Sequence, residues 1–250
     1  MITAILNCYK RPHLIDEQIE AIKNQTVKPN EIIIWYNKPE NEDHVNLDYT
    51  GCKVVYSNTN FKFHARFAFA LLSKTKYVAI FDDDDIPMPG WFENCLKTIE
   101  DGYDGILGSI GVILQNDQSY YPNWKVGWNG IKNEKPQEVD LVGHAWFLNK
   151  DYLRYLWLED PVTWENGEDM QLSFLSQKYG GIKTYVPPHS SKDNFFHGAD
   201  FSKSNDYGSD NNASWKTKSH FPDRELTVKE QVKNGWSLMC HRNPNGISVQ

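Results

Sequence analysis

Four consecutive aspartates, Asp82 to Asp85, follow directly after the apolar run 77–81. A short run of β-branched and aromatic residues is typical of a buried strand. Carboxylates crowded at a strand end repel one another and are costly to desolvate. Mg²⁺, Mn²⁺ and Ca²⁺ take oxygen ligands, and ligand sites in open α/β sheets lie beyond the carboxyl ends of strands. The pattern indicates a divalent cation site, and the alternative is an acidic turn that faces water.

The composition limits the class of partner. The chain has 250 residues, of which 26 are Lys or Arg and 33 are Asp or Glu, and its net charge is −7. This balance argues against nucleic acid as a partner, because phosphate backbones need a basic surface. The sequence shows no signal peptide or transmembrane segment, and its four scattered cysteines favour reduced thiols. We therefore expect a protein of the cytoplasm or of a membrane surface, and no pattern indicates its oligomeric state.

The first hundred residues alternate between strand and helix patterns, which predicts βαβ units with a parallel sheet. The predicted strands are 2–8, 31–36, 53–56 and 77–81. Three helices are predicted between these strands and after them. The first begins at Pro12, the second carries Phe63, Phe67 and Leu71 on one face, and the third spans 91–99.

The second half is less regular. Strands are predicted at 105–114, 139–148 (interrupted at Gly143-His144) and 183–186, and helices at 168–179 and 227–236. Polar connections are predicted at 117–136 and 190–223, and a loop as long as the latter is typical of a lid. No repeat or interdomain linker is visible, so we expect one domain over residues 1–250.

Five motifs follow one another along the chain, at 3–12, 25–34, 77–91, 143–147 and 167–172. Taken in this order, they resemble the motifs of glycosyltransferases of the GT-A fold, closest to family 2. The resemblance extends from Thr3 to about Pro188 and implies an α/β, Rossmann-like GT-A domain with a mixed, mainly parallel sheet flanked by helices. It implies a nucleotide-sugar-binding half at 1–100, an acceptor and catalytic half at 101–189, a flexible loop or lid at 190–223, and a C-terminal helix and tail at 224–250.

The resemblance also implies a donor site that contains Mn²⁺ or Mg²⁺. Asp84 is expected as the main metal ligand, with Asp82 beside the ribose or a metal-bound water. His197 is expected as the third ligand, and His189 is its alternative. The residues expected to bind the nucleotide-sugar are Asn7, Tyr9, Arg11, Tyr36, Asn37, Arg66, Asp82 and Asp83. Tyr36-Asn37 departs from the acidic pair usual in the family at the end of the second strand, and so weakens the expectation of uridine.

On the acceptor side, Asp169 is expected as the general base that removes the proton from the acceptor hydroxyl, with Glu168 beside it. The alternative is that both are ordinary acids in the first turn of a helix, where the macrodipole favours them. His144 and Trp146 are expected to contact the acceptor. Lysines of the long loop could close over the diphosphate; they are Lys203, Lys216 and Lys218.

These expectations combine into a metal-dependent transfer of a hexosyl or N-acetylhexosaminyl group from a nucleotide-diphospho-sugar, with UDP expected, to a glycan or another hydroxyl acceptor. An Asp base implies direct displacement with inversion. Three alternatives remain open on the sequence. They are a retaining, exostosin-like enzyme, a metal-dependent nucleotidyltransferase or phosphohydrolase, and an inactive carbohydrate-binding relative.

Overall fold

The computed structural model describes residues 1–243 and 247. Its strands are β1 Ile2–Cys8, β2 Glu31–Tyr36, β3 Lys53–Tyr56, β4 Tyr77–Phe81, β5 Gly105–Leu114, β6 Asn123–Gly127, β7 Gln137–Val139, β8 Leu141–Asn149 and β9 Lys183–Val186. Its α-helices are α1 Ile15–Lys23, α2 Ala65–Ala70, α3 Trp91–Glu100, α4 Glu168–Gly180, α5 Phe201–Tyr207, α6 His220–Lys233 and α7 Met239–Arg242. Short 3₁₀ helices lie at Pro12–Leu14, Lys150–Trp157 and Ser214–Lys216.

The strands form one mixed sheet in the order β3-β2-β1-β4-β8-β5-β9-β7, and β6 pairs with β5. The four strands of the first half are parallel, whereas β8 runs antiparallel to both β4 and β5. The carboxyl ends of β1, β2 and β4 therefore meet at one edge of the sheet. Because β8 runs in the opposite direction, its first residues reach the same edge, and this edge carries the site described below.

Helices cover both faces of the sheet because side chains alternate along each strand. Leu6 of β1 packs with Ile19 of α1 and Phe92 of α3 on one face. Ile5 packs with Phe67 of α2 and Leu172 of α4 on the other. The predicted α/β class and the GT-A arrangement of a mixed sheet flanked by helices in a single domain are confirmed.

The structure corrects several boundaries in the second half. The segment 190–223 is not without secondary structure, since it contains α5, the last 3₁₀ helix and the first turn of α6. β6 lies within the predicted connection 117–136, and the terminal helix begins at His220. These elements carry few aliphatic residues, so their sequence gives little periodic signal.

The remaining expectations concern the C-terminus and the membrane. Of the predicted C-terminal tail, residues 244–246 and 248–250 lie outside the described residues. Within the described part of the chain, no helix combines the length and the apolar character that crossing a bilayer requires.

Candidate active site

The aspartate run forms a tight turn after β4, and its backbone is fixed from below. The side-chain amide of Gln18 in α1 donates to the carbonyl oxygens of Asp82 at 2.6 Å and Asp85 at 2.9 Å. The amide of Asp85 also donates to the carbonyl oxygen of Asp82 at 3.3 Å. Since α1 and β4 belong to the core, the turn is held rigidly and its carboxylates are presented at the sheet edge.

Asp82, Asp84 and His144 bring one potential ligand atom each to within 4.8 Å of one another. His144 reaches the aspartates because its carbonyl oxygen accepts a hydrogen bond of 2.9 Å from the amide of Asp82, next to the β4–β8 ladder. Two carboxylates and an imidazole suit Mn²⁺ or Mg²⁺. The third candidate ligand thus comes from β8, whereas His144 was expected to contact the acceptor.

A β-bulge orients His144. The pairing of β5 with β8 shifts register between Gly108 and Ile110, and His144 adopts a left-handed φ of 67°. The hydroxyl of Ser109 accepts a hydrogen bond of 3.2 Å from the amide of Ala145 at this irregularity. Bulges re-aim side chains and are common beside active sites. The interruption predicted at Gly143-His144 is this bulge within a continuous strand.

The aspartate turn carries more negative charge than Arg11 compensates. Arg11 donates to Asp83 at 2.5 Å and lies 3.6 Å from Asp84. Burial and mutual repulsion nevertheless raise the pKa of Asp83 and that of Asp84 to about 7. Burial also raises the pKa of Asp85, whose nearest partner is the hydroxyl of Ser204 at 3.4 Å. A bound cation would relieve this excess, so the site fits a divalent metal.

Arg66 joins the aspartate turn to α4. Its guanidinium is buried, forms an ion pair with Asp82, and donates to Glu168 at 2.8 Å. Burial and the neighbouring Asp169 raise the pKa of Glu168 to about 7 despite this pairing. Arg66 was expected to bind the nucleotide, but its terminal nitrogens are engaged by these two carboxylates.

Trp146 supports Arg66 from within the core. The guanidinium carbon lies 4.7 Å from the centre of the indole ring, and the indole N–H donates to the carbonyl oxygen of Val142 at 3.0 Å. Only 2% of Trp146 is exposed. The expected contact between Trp146 and the acceptor is corrected accordingly, because both faces of the ring are covered by protein.

Asp169 is held by an arginine from α6. The two terminal nitrogens of Arg224 donate to its two carboxylate oxygens at 2.8 and 3.2 Å. The guanidinium carbon of Arg224 also lies 4.4 Å from the ring centre of Tyr120. A bidentate pair of this kind fixes the orientation of the Asp169 carboxylate. Neither Arg224 nor Tyr120 was expected from sequence, because Tyr120 lies in a polar connection without a motif and Arg224 lies in the first turns of α6, which were not predicted as helix.

The segment around α5 covers the aspartates. Asp210 accepts from Arg11 at 2.7 and 3.1 Å, and a Cβ added to Gly208 would lie 3.0 Å from a carboxylate oxygen of Asp84. Two of the lysines expected to close over a diphosphate are engaged elsewhere: Lys203 pairs with Glu17 at 2.5 Å, and Lys216 donates to a backbone carbonyl. Closure by Lys218 stays a prediction. The side chain by which this segment approaches Arg11 and the aspartate turn is the carboxylate of Asp210.

Comparison with known families gives a direct result. The model of "Glycosyl transferase family 2" matches residues 3–157. The chain belongs to glycosyl transferase family 2. No curated protein matches the sequence at a significant level. The family match includes the aspartate turn and His144 but ends before Glu168 and Asp169. The predicted membership of a GT-A, family 2-like group is confirmed, and with it the broad class of nucleotide-sugar glycosyltransferase.

The nucleotide-side residues of this glycosyltransferase are arranged differently from the sequence expectation. Tyr36 is 1% exposed and packs against His44 and Tyr56, so it has no free face for a base. The side-chain amide of Asn37 donates to Asn60 at 3.0 Å, and its oxygen accepts from a loop amide. Asn37 thereby fixes the loop 60–62.

Two other nucleotide-side residues lie near the same edge. Asn7 is the last but one residue of β1 and is half-buried. The hydroxyl of Tyr9 accepts from Asn60 at 3.2 Å, which ties it to the loop that Asn37 fixes. A contact of Asn7, Tyr9 or Asn37 with the donor stays a prediction.

His197 and its alternative His189 lie outside the ligand group found among the described residues. Nε2 of His197 lies 2.9 Å from the carbonyl oxygen of Ser190, and Nδ1 of His189 lies 2.8 Å from that of Pro187. The two rings are 4.8 Å apart. These histidines pin the connection after β9, so His144 replaces His197 as the candidate third ligand.

Proposed function

We propose that this family 2 glycosyltransferase is metal-dependent and transfers a hexosyl or N-acetylhexosaminyl group from a UDP-sugar to an acceptor hydroxyl with inversion, in glycan synthesis. The observation that carries the proposal is the ligand group of Asp82, Asp84 and His144, which Arg66 connects to the Glu168–Asp169 pair. Arg66 therefore links the residues that would hold the metal and the donor to the pair that would contain the base. A nucleotidyltransferase would need the metal-binding residues alone.

Asp82, Asp84 and His144 would hold Mn²⁺ or Mg²⁺, which supplies Lewis-acid stabilisation of the diphosphate as it leaves. Arg11 lies 3.6 Å from Asp84 of this group. Its guanidinium is suited to a phosphate oxygen, because its donors form a planar fork. Asp83 holds Arg11 in place through the same terminal nitrogen.

Asp169 would accept the proton of the acceptor hydroxyl. Arg224 fixes its orientation through both carboxylate oxygens, and because Oδ1 also accepts from the amide of Met170 at 2.8 Å, Oδ2 is the oxygen better placed to take the proton. A base that delivers the acceptor oxygen directly to the anomeric carbon gives inversion. Glu168 would support the base, since its own pKa of about 7 makes it a strong proton acceptor held by Arg66.

The cysteines support the expected compartment. All four are free thiols: Cys8, Cys52, Cys95 and Cys240. Free thiols are the rule in reducing compartments such as the cytoplasm. We propose that the enzyme acts there or at the cytoplasmic surface of a membrane.

The proposal is tested with a panel of UDP-sugars and Mn²⁺. Thermal shift identifies the donor, because a ligand that binds only the folded state raises the melting temperature. Asp84→Ala is expected to lower the transfer rate by about a thousandfold, since metal stabilisation is worth several kcal/mol. Asp101→Ala, at an exposed position after α3, is the control. Full activity of Asp84→Ala would refute the metal site.

The base is tested separately. Asp169→Asn is expected to abolish transfer but to leave binding of UDP and Mn²⁺ intact. If transfer persists in Asp169→Asn and is lost in Glu168→Gln, the base is Glu168. The anomeric configuration of the product, read by NMR, distinguishes inversion from the retaining, exostosin-like alternative.

A further inference from the structure

The imidazole of His64 is buried two residues before Arg66. It lies just before α2 and is 3% exposed. Among the residues that the structure describes, neither of its ring nitrogens has a hydrogen-bond partner, nor does the indole N–H of Trp157. The centres of these two rings are 6.5 Å apart. Buried polar atoms are nearly always paired, so these unpaired nitrogens are candidates for binding the polar groups of a ligand.

Trp164 lies against His64 and faces solvent. Its ring centre is 5.1 Å from that of His64, and the two rings meet at 61°. Trp164 is nevertheless 56% exposed. A large exposed aromatic ring beside unpaired polar atoms is the combination that sugars bind, since their apolar C–H faces stack on the ring and their hydroxyls take the polar groups.

The segment that carries Trp164 is fixed on its C-terminal side. Lys62 pairs with Glu165 at 3.1 Å, and the side-chain amide of Asn166 lies 3.1 Å from a ring nitrogen of His220. Glu168 follows two residues later. The indole is thus held on a short, anchored segment, which lowers the entropic cost of binding to it.

The position of His64 relates this surface to the reaction. Burial lowers the pKa of His64 to about 4, with help from Arg66 and against the charge of Asp169. The imidazole is therefore neutral, with one donor and one acceptor nitrogen, and can pair with two hydroxyls at once. Trp164, which contacts His64, lies four residues before Glu168 in the sequence and so brings this surface to the start of α4.

We propose that Trp164 and His64 form an acceptor subsite for a saccharide ring, with Trp164 as the stacking platform and His64 as the hydroxyl partner. This inference rests on the proposed function and narrows its acceptor to a sugar. The acceptor ring would lie over Trp164 with one hydroxyl directed to Asp169. The indole N–H of Trp157 offers a further donor to the same ring.

Saturation-transfer difference NMR tests the subsite with methyl β-glucoside, methyl β-galactoside and methyl N-acetyl-β-glucosaminide as probes, in the presence of UDP and diamagnetic Mg²⁺. Signals from ring C–H protons are expected in the wild type. Trp164→Ala is expected to lower the affinity for the glycoside about tenfold. Trp164→Phe, which keeps an aromatic ring, is expected to retain part of that affinity. His64→Phe keeps a ring in the core but removes its nitrogens, and is expected to weaken binding severalfold.

Trp124→Ala is the matched control, because Trp124 is also an exposed indole but lies on β6. Unchanged signals in Trp164→Ala, or no signal from any probe in the wild type, would overturn the subsite. Calorimetry with UDP and Mg²⁺ is measured on the same samples and is expected to be equal in all variants. Failure of UDP to bind the wild type counts against the proposed function, whereas glycoside binding alone decides the subsite.

Discussion

The family-matched segment 3–157 and the following segment 158–243 build the same site by different means. The first presents its groups at strand ends, where Asp82, Asp84 and His144 are fixed by the sheet. The second presents Glu168 and Asp169 at the start of α4 and covers them with irregular chain. Arg66 and Arg11 of the first segment pair with carboxylates of the second. The donor side therefore has a rigid frame, and its two arginines are shared with carboxylates of the C-terminal segment.

The largest expected effect is on the pair that lies wholly within the second segment. Arg224→Met leaves the Asp169 carboxylate buried without its counter-charge, which is expected to lower the free energy of unfolding by about 3 kcal/mol. Urea denaturation measures it, with Lys229→Met at an exposed position of α6 as the control. Asp169→Asn added to Arg224→Met is expected to recover part of the loss. If Arg224→Met is as stable as Lys229→Met, the charge of Arg224 does not contribute to the stability of the fold.

A second test addresses the junction between the segments. Burial raises the pKa of Glu168 from 4.5 to about 7, so the folded protein holds this proton more tightly than the unfolded chain. The resulting stabilisation is complete below the unfolded-state pKa of 4.5 and is lost as the pH rises through about 7. The free energy of unfolding is expected to fall across this range, and less steeply in Glu168→Gln.

Urea denaturation at a series of pH values measures this slope. Glu20→Gln, at an exposed position of α1, should follow the wild type. Equal slopes in Glu168→Gln and the wild type would mean that Glu168 titrates normally and that Arg66 neutralises it fully.

The smallest effect is expected from the contact of the second segment with the donor side. Asp210→Asn removes the charge that engages Arg11 and frees this arginine for a phosphate. Because Asp210 is partly exposed, the gain is modest, and UDP with Mn²⁺ is expected to bind about threefold more tightly. Isothermal calorimetry measures it, with exposed Asp206→Asn as the control. Weaker binding in Asp210→Asn would mean that Asp210 orders the site instead of competing for it.

The sequence predicted what regular structure determines. The strand before the aspartates, the parallel half of the sheet and the helix at Glu168 follow from periodicity, and the motif order indicated the family. Asp82 and Asp84 could be paired because they follow one strand. His144 could be found only once β8 was known to run antiparallel beside β4, since strand order is not written in the local pattern.

The contacts of the second segment could not be predicted. Arg224 and Asp210 lie more than fifty residues from their partners along the chain and carry no motif of their own. Trp146 and Arg66 are expected to bind ligands because the family resemblance places Trp146 in its acceptor-side strand and a basic residue at the position of Arg66. Their burial depends on how α2 and α4 close over the sheet, which is a property of the tertiary fold.

Arg66 has a consequence for engineering. Its one guanidinium is shared between Asp82 of the aspartate turn and Glu168 of α4. A chimaera can join the N-terminal part of this protein to the C-terminal part of a relative. Arg66 would then lose its ion pair with α4 unless the relative also carries an acid at the position of Glu168. Recombination is therefore expected to succeed when Arg66, Asp82 and Glu168 are inherited together. Donor and acceptor specificity are not exchangeable modules in this chain.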